Sequence, residues 1–222
     1  MSIAENIARV RERIAAAARR AGRNPDQVTL MAVSKTVEPE RIREAYAAGI
    51  RVFGENRVQE FEKKAPELRD LAGAEWHLIG HLQSNKTKKA TELFGAVDSV
   101  DSLKLARKLD EGAEKTLPVL IEINVGGEEA KSGVRPGSEE LAELLGATFK
   151  NLMIRGLMAI PPFTEDPEGA RPYFRTMREL RDKVGANWEL SIGMSHDFGV
   201  AIEEGSTCVR VGTAIFGERV KG

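Results

Sequence analysis

The sequence predicts a closed (β/α)8 barrel of the TIM type with an extra helix at its N-terminus. Three observations carry that expectation. Eight short apolar runs, rich in β-branched residues, each lead into a segment of helical periodicity. Strict alternation of strand and helix implies parallel strands joined by crossover helices. No shift of composition marks a linker, so residues 1–222 read as one domain. An open doubly wound sheet is the weaker alternative, because no Gly-x-Gly-x-x-Gly follows any strand, and no Walker-type glycine loop is present.

The first helix runs from Ile3 to Ala21. Ile3, Ile7, Val10, Ile14 and Ala17 recur at helical spacing, with Arg9, Arg13, Arg19 and Arg20 largely off that stripe. Ser2 and Glu5 have the spacing of a capping box, and Gly22 and Pro25 close the segment. Strand one is Val28 to Thr36, an aliphatic run suited to burial on both faces. Pro39 opens a helix to Ala48, which Gly49 ends. Strand two is Ile50 to Gly54, with a helix from Val58 to Leu71. Strand three is Glu75 to Gly80, followed after a polar turn by a helix to about Leu93. Strand four is Ala96 to Val100, and Ser102 caps a helix to about Ala113. Strand five, Leu117 to Val125, is the strongest run, and a polar loop from Gly126 to Gly133 precedes a helix over Ser138 to Phe149. Strand six, Leu152 to Ile160, stops at Pro161-Pro162 and leads to a helix from about Pro167 to Val184. Strand seven is Trp188 to Met194, with a short helix from Phe198 to Glu204. Strand eight is Thr207 to Gly212, and the tail from Thr213 to Val220 reads as helical.

Composition narrows the function. The chain is 41% hydrophobic and 30% charged with a formal net charge of −1, so bulk electrostatics suggest neither nucleic-acid nor membrane binding. The single cysteine, Cys208, excludes an intrachain disulfide, suits a reducing cytosol and reads as a small core residue. The N-terminus lacks the apolar core of a signal peptide, and no apolar run is long enough to span a bilayer. A cytoplasmic location is expected.

In parallel α/β folds, chemistry gathers at the carboxyl ends of the strands. Lys35 stands there on strand one. Partial desolvation pushes an amine's pKa down, and the neutral amine is the form that attacks a carbonyl to make a Schiff base. Taken alone, Lys35 more simply marks where the strand meets water. The loops after strands seven and eight are where such barrels often bind phosphate. Here they offer Ser195, then Gly212 and Thr213 at a helix start, where backbone N–H groups and a hydroxyl suit an anion. Ordinary turn chemistry explains these residues about as well. Arg210 lies inside an apolar strand, where a buried guanidinium needs a partner, either a structural ion pair or a ligand. A Schiff-base lysine, a phosphate cradle and an inward arginine together suggest one ligand, pyridoxal phosphate.

Five segments then carry a resemblance: Ala32 to Thr36, Phe53 to Glu60, Trp76 to Gly80, Leu82 to Lys86 and Gly205 to Gly217. Together, and in register over essentially the whole chain, they resemble the pyridoxal phosphate homeostasis protein family, itself similar to the N-terminal barrel of alanine racemase. The resemblance implies Lys35 as the lysine of the internal aldimine. It implies Ser195, Gly212 and Thr213 as phosphate holders, and Arg210 as the residue facing the pyridine nitrogen. An arginine there does not give up its proton, so the ring stays unprotonated and is a poorer electron sink. Asn56, His77 and Met158, at or near strand ends, are expected to line the pocket.

A racemase needs an acid–base group on each face of the substrate, and Lys35 supplies one. Racemases resembling this barrel draw the second, a tyrosine, from a further β-rich domain. No such domain is expected here, and Tyr46 and Tyr173 fall in predicted helices. The expectation is therefore a monomeric carrier of pyridoxal phosphate without strong catalysis of its own, with pyridoxal-dependent apo-enzymes as possible recipients. A weakly active amino-acid racemase is the alternative. A class I aldolase using Lys35 is a third reading, for which the acid–base carboxylates expected near the lysine are lacking. No metal site is expected, since His77 and His81 on a strand running into a turn would lie too far apart at about 3.3 Å per residue. Lys86, Lys88 and Lys89 read as a solvated face.

Overall fold

The computed structural model describes residues 1–218. Its strands are β1 (Thr29–Val33), β2 (Val52–Glu55), β3 (Glu75–Leu78), β4 (Ala96–Val100), β5 (Leu117–Glu122), β6 (Leu152–Met158), β7 (Glu189–Met194) and β8 (Cys208–Val211). All pair in parallel in chain order, and β8 returns to β1 to close the barrel. Helix α1 (Ile3–Arg20) precedes the barrel. The crossovers are α2 (Pro39–Ala47), α3 (Val58–Leu68), α4 (Thr87–Leu93), α5 (Leu103–Gly112), α6 (Glu139–Gly146), α7 (Arg171–Val184) and α8 (Phe198–Glu203), with α9 (Thr213–Phe216) last.

The capping box on α1 forms as its spacing predicts: Glu5 N–H donates to Ser2 Oγ, and Ser2 N–H donates to the Glu5 carboxylate. Its apolar stripe, Ile3, Ile7, Val10, Ile14, Ala17 and Ala18, is buried against the outside of the barrel beside α2, α8 and α9. Each fully buried aliphatic side chain there is worth ~1.5–3 kcal/mol. Asn6 Nδ2 donates to Ile215 O at 2.8 Å and ties the two ends of the chain together.

Strand alternation divides the side chains between two cores. Outward residues join one continuous layer under the helices, where the rings of Phe53, Phe61, Trp76 and Phe94 pack at 4.7–4.9 Å between centroids. Inward, Met31, Ile79 and Cys208, with Val33 and Val52, plug the barrel. Around Gly54 this plug is tight. A Cβ on Gly54 would lie 2.8 Å from Met31 Sδ and 2.9 Å from Ile79 Cδ1. Burial pushes the Cys208 thiol up to about 12, which makes it an inert core group.

Several elements are shorter than the sequence predicts. β1 ends at Val33 because Ser34 begins a turn in which Thr36 takes a φ of 60°. β5 ends at Glu122; Ile123 N–H still donates to Met158 O at 2.8 Å, and Ile123 then forms an isolated parallel bridge with Val134. The segment expected as one helix from Pro167 opens with a 3₁₀ turn, Pro167–Ala170, before α7. Of the expected helical tail, Arg219 and Val220 lie outside the described residues. No described helix is long and apolar enough to cross a membrane.

Candidate functional site

The turn after β1 carries Lys35, half-buried, behind a fully buried Ser34. Ser34 N–H donates to Gly54 O at 2.9 Å and prolongs the β1–β2 pairing one residue past the strand. Lys35 therefore stands at the carboxyl mouth of the barrel.

Arg210, on β8, points inward and is 3% exposed. Nη1 donates to Ser191 O at 2.6 Å and Ser191 Oγ at 2.7 Å, and Nη2 donates to Ala159 O at 2.9 Å. Among the described residues no carboxylate forms an ion pair with it, so its anchors are neutral acceptors on β7 and at the end of β6. Burial lowers its proton affinity, yet a guanidinium stays charged in proteins. Ser191 had no role in the sequence reading. As the inward partner of Cys208 in register, it was identifiable only once strand pairing was known.

The loops after β7 and β8 meet. Ala214 N–H reaches Ser195 Oγ at 3.4 Å, while Ile215 and Phe216 N–H close onto Gly212 O at 2.9 Å to start α9. The earliest amides of such a turn have no acceptor within it, and Thr213 is exposed beside them. Ser195, Gly212 and Thr213 thus come together at the same mouth as Lys35.

Met158 ends β6, fully buried and level with Glu122 of β5 and Ser191 of β7. Asn56 follows β2, and its backbone is wedged against Gly80: a Cβ there would lie 2.3 Å from Asn56 O. Only glycine lets these two loops approach so closely.

His77 does not join them. It lines a cavity of about 260 Å³ that opens at the opposite mouth, among the first residues of strands: Thr29, Glu75 and Glu189. Ile79, two residues on and pointing the same way, is part of the plug that separates His77 from the carboxyl end. His77 Nδ1 lies 3.1 Å from both oxygens of buried Asp98, and Nε2 lies 3.8 Å from Glu75. Burial alone would lower its pKa. The charge and hydrogen bond of Asp98, with Glu75 and Glu189, outweigh that and raise it. The expectation that His77 lines the pocket with Lys35 is corrected, because an inward residue in mid-strand is screened by the next inward residue above it.

A carboxyl group for which the sequence carries no expectation faces the carboxyl end. Glu122 ends β5, is 9% exposed, and borders a cavity of about 160 Å³ with Asn124, Lys131 and Ser132. Burial, with the charge of Asp101 added, pushes its pKa up to about 7 against the pull of Arg210 and His81. Its signal in the sequence was the one that exposed Arg210, a charge inside an apolar run, with Leu120 two residues before it. Among the described residues no group of three or more His, Cys, Asp or Glu is placed to hold a metal ion.

The chain matches the family model described as the alanine racemase N-terminal domain over residues 5–220. It is 51% identical to a pyridoxal phosphate homeostasis protein of Aquifex aeolicus, with 99% of each chain covered. The chain belongs to the pyridoxal phosphate homeostasis protein family. A member from Pseudomonas aeruginosa is 48% identical, over 100% of this chain and 97% of that one. Among solved structures, PipY of Synechococcus elongatus, determined with pyridoxal phosphate bound, superposes with a TM-score of 0.81 at 38% identity. That match covers 97% of this chain and 100% of PipY.

Proposed function

We propose that this protein binds pyridoxal 5′-phosphate at the carboxyl mouth of its barrel and serves vitamin B6 homeostasis in the cytoplasm as a monomeric holder of the cofactor, not as a strong catalyst. The observation that carries the reading is Arg210. It is a permanently charged group inside the barrel, locked by Ser191 and Ala159, at the mouth that also holds Lys35 and the Ser195–Ala214 junction. The donor set fits the cofactor: an amine for its aldehyde, amides and hydroxyls for its phosphate, and a guanidinium for its ring nitrogen. When bound, the cofactor supplies an electrophilic carbon and an electron-withdrawing ring. Lys35 offers the attacking amine. Ser195, Gly212 and Thr213 take the phosphate, and Asn56 and Met158 border the ring. Arg210 keeps its own proton and so leaves the ring a weak electron sink, which suits storage and delivery to apo-enzymes.

The test is the absorbance spectrum of the full chain with added cofactor, beside Lys35→Ala, before and after borohydride. The expected result is a visible band, reducible and missing from the variant. A wild type that takes up no cofactor would overturn the reading. Weak racemase-like turnover is favoured by one observation, the protonatable Glu122 on the inner wall, since a group titrating near neutrality can give and accept a proton. Turnover of an L-amino acid that is lost in Glu122→Gln while the band persists would establish it.

A further inference from the structure

Beneath the Lys35 turn lies a buried ionic network outside the barrel wall. Glu55, at the end of β2, is 0% exposed, and its Oε1 accepts from Ser34 Oγ at 2.6 Å and Lys64 Nζ at 2.8 Å. Lys64, on α3 and 9% exposed, also donates to Ser34 O at 2.9 Å and Glu60 Oε1 at 3.1 Å. Three donors is all an ammonium has, and all three are used here. Glu60 Oε1 in turn accepts the N–H of Thr36. The residues on both sides of Lys35 are thus gripped by the same three side chains. Thr36 is the one non-glycine residue with positive φ among the described residues, a conformation that persists only where the surroundings over-determine it.

Burying a carboxylate and an ammonium is a poor way to gain stability, since desolvation offsets their attraction. Glu55 displays that cost: burial raises its pKa against Lys64, and its Oε2 has no hydrogen-bond partner. What such a network does well is fix geometry.

We propose that Glu60 and Lys64 of α3, acting with Glu55, are positioning residues for Lys35: they hold the Ser34-Lys35-Thr36 turn so that the amine is presented to a carbonyl at the barrel mouth. The inference rests on the cofactor reading for its ligand, but not for its geometry. In the step served, the amine adds to an aldehyde carbon and the carbonyl oxygen leaves as water.

The test uses the full chain as wild type, Glu60→Gln, Lys64→Met and Lys64→Arg, each checked for fold by circular dichroism. Glu60 is partly exposed, so Glu60→Gln keeps the test valid where Lys64→Met fails to fold. Two rates are read. One is growth of the borohydride-reducible band with pyridoxal phosphate. The other is methylation of Lys35 by formaldehyde and cyanoborohydride without cofactor, located by mass spectrometry. Both should fall by about tenfold or more in Glu60→Gln and Lys64→Met, since misplacing a reacting group by about 1 Å can cost ~10²-fold. Lys64→Arg should restore most of the wild-type behaviour. Folded Glu60→Gln protein with an unchanged Lys35 methylation rate would overturn the proposal. A wild type that forms no band, yet whose Lys35 methylation still responds to the variants, would overturn the cofactor reading and leave the positioning role standing.

Discussion

The two mouths of this barrel are both rich in charge, and they differ in what those charges do. At the amino mouth, His77 is paired with Asp98 and Arg155 with Glu189, and both pairs border one cavity. Each of these groups answers another. At the carboxyl mouth, Glu122 is buried with its pKa pushed to about 7, Asn124 Oδ1 is buried without a partner, and Thr213 stands exposed at a helix start. The lesson concerns how to recognise a site. A cavity lined with titratable groups that satisfy one another is structure, whereas unspent hydrogen-bonding capacity gathered at one barrel mouth points to a ligand.

The largest effect that sharpens this contrast is the pH dependence of Glu122. Its folded pKa is raised from 4.5 to about 7, so the folded state binds the proton more tightly than the unfolded chain does. That contribution is fully present below pH 4.5 and is lost as pH rises through about 7. Glu122→Gln, which mimics the protonated form, should therefore gain up to about 3 kcal/mol at pH 8 relative to its effect at pH 4. Urea denaturation at both pH values checks this. Equal effects at the two would mean that Glu122 is as well satisfied as the groups of the amino mouth, and the contrast would fail.

A smaller effect is expected from Asp98→Asn, which opens the pair at the other end. The raised pKa of His77 contributes stability that is present below pH 6.5 and lost as pH climbs through its folded value. The variant should lose about 2 kcal/mol at acidic pH, less above neutrality, with the cofactor band unchanged. Loss of the band in folded Asp98→Asn protein would show that the two mouths are coupled through the plug.

Much of this was legible in the sequence because it rests on periodicity. The eight strands, the capping box of Ser2 and Glu5, and the placement of Lys35, Ser195, Gly212 and Thr213 at strand ends follow from alternation and turn chemistry. His77 was misplaced because inward direction is legible in a strand but depth along the barrel axis is not: that depends on register and on Ile79 filling the space above. The Glu55–Lys64 pair was missed for a related reason. The two residues lie on different elements, and nothing in a helix heptad shows that a lysine folds inward under a neighbouring turn.

The finest test concerns how Arg210 is held. Ser191 contributes two of its three acceptors, and only one of them, Oγ at 2.7 Å, belongs to the side chain. Ser191→Ala removes that bond and leaves the Ser191 and Ala159 carbonyls in place, so stability should fall by about 1 kcal/mol. The Ser191 carbonyl lies on β7, and Ala159 follows β6 directly with its own N–H donating to Ser191 O at 3.2 Å, so the guanidinium keeps its position and the cofactor band should persist at its wild-type wavelength. A band that shifts or weakens in a folded Ser191→Ala protein would mean that the hydroxyl itself sets the direction of the guanidinium. The inner wall of β7 would then belong to the ligand site, extending that site deeper toward the plug.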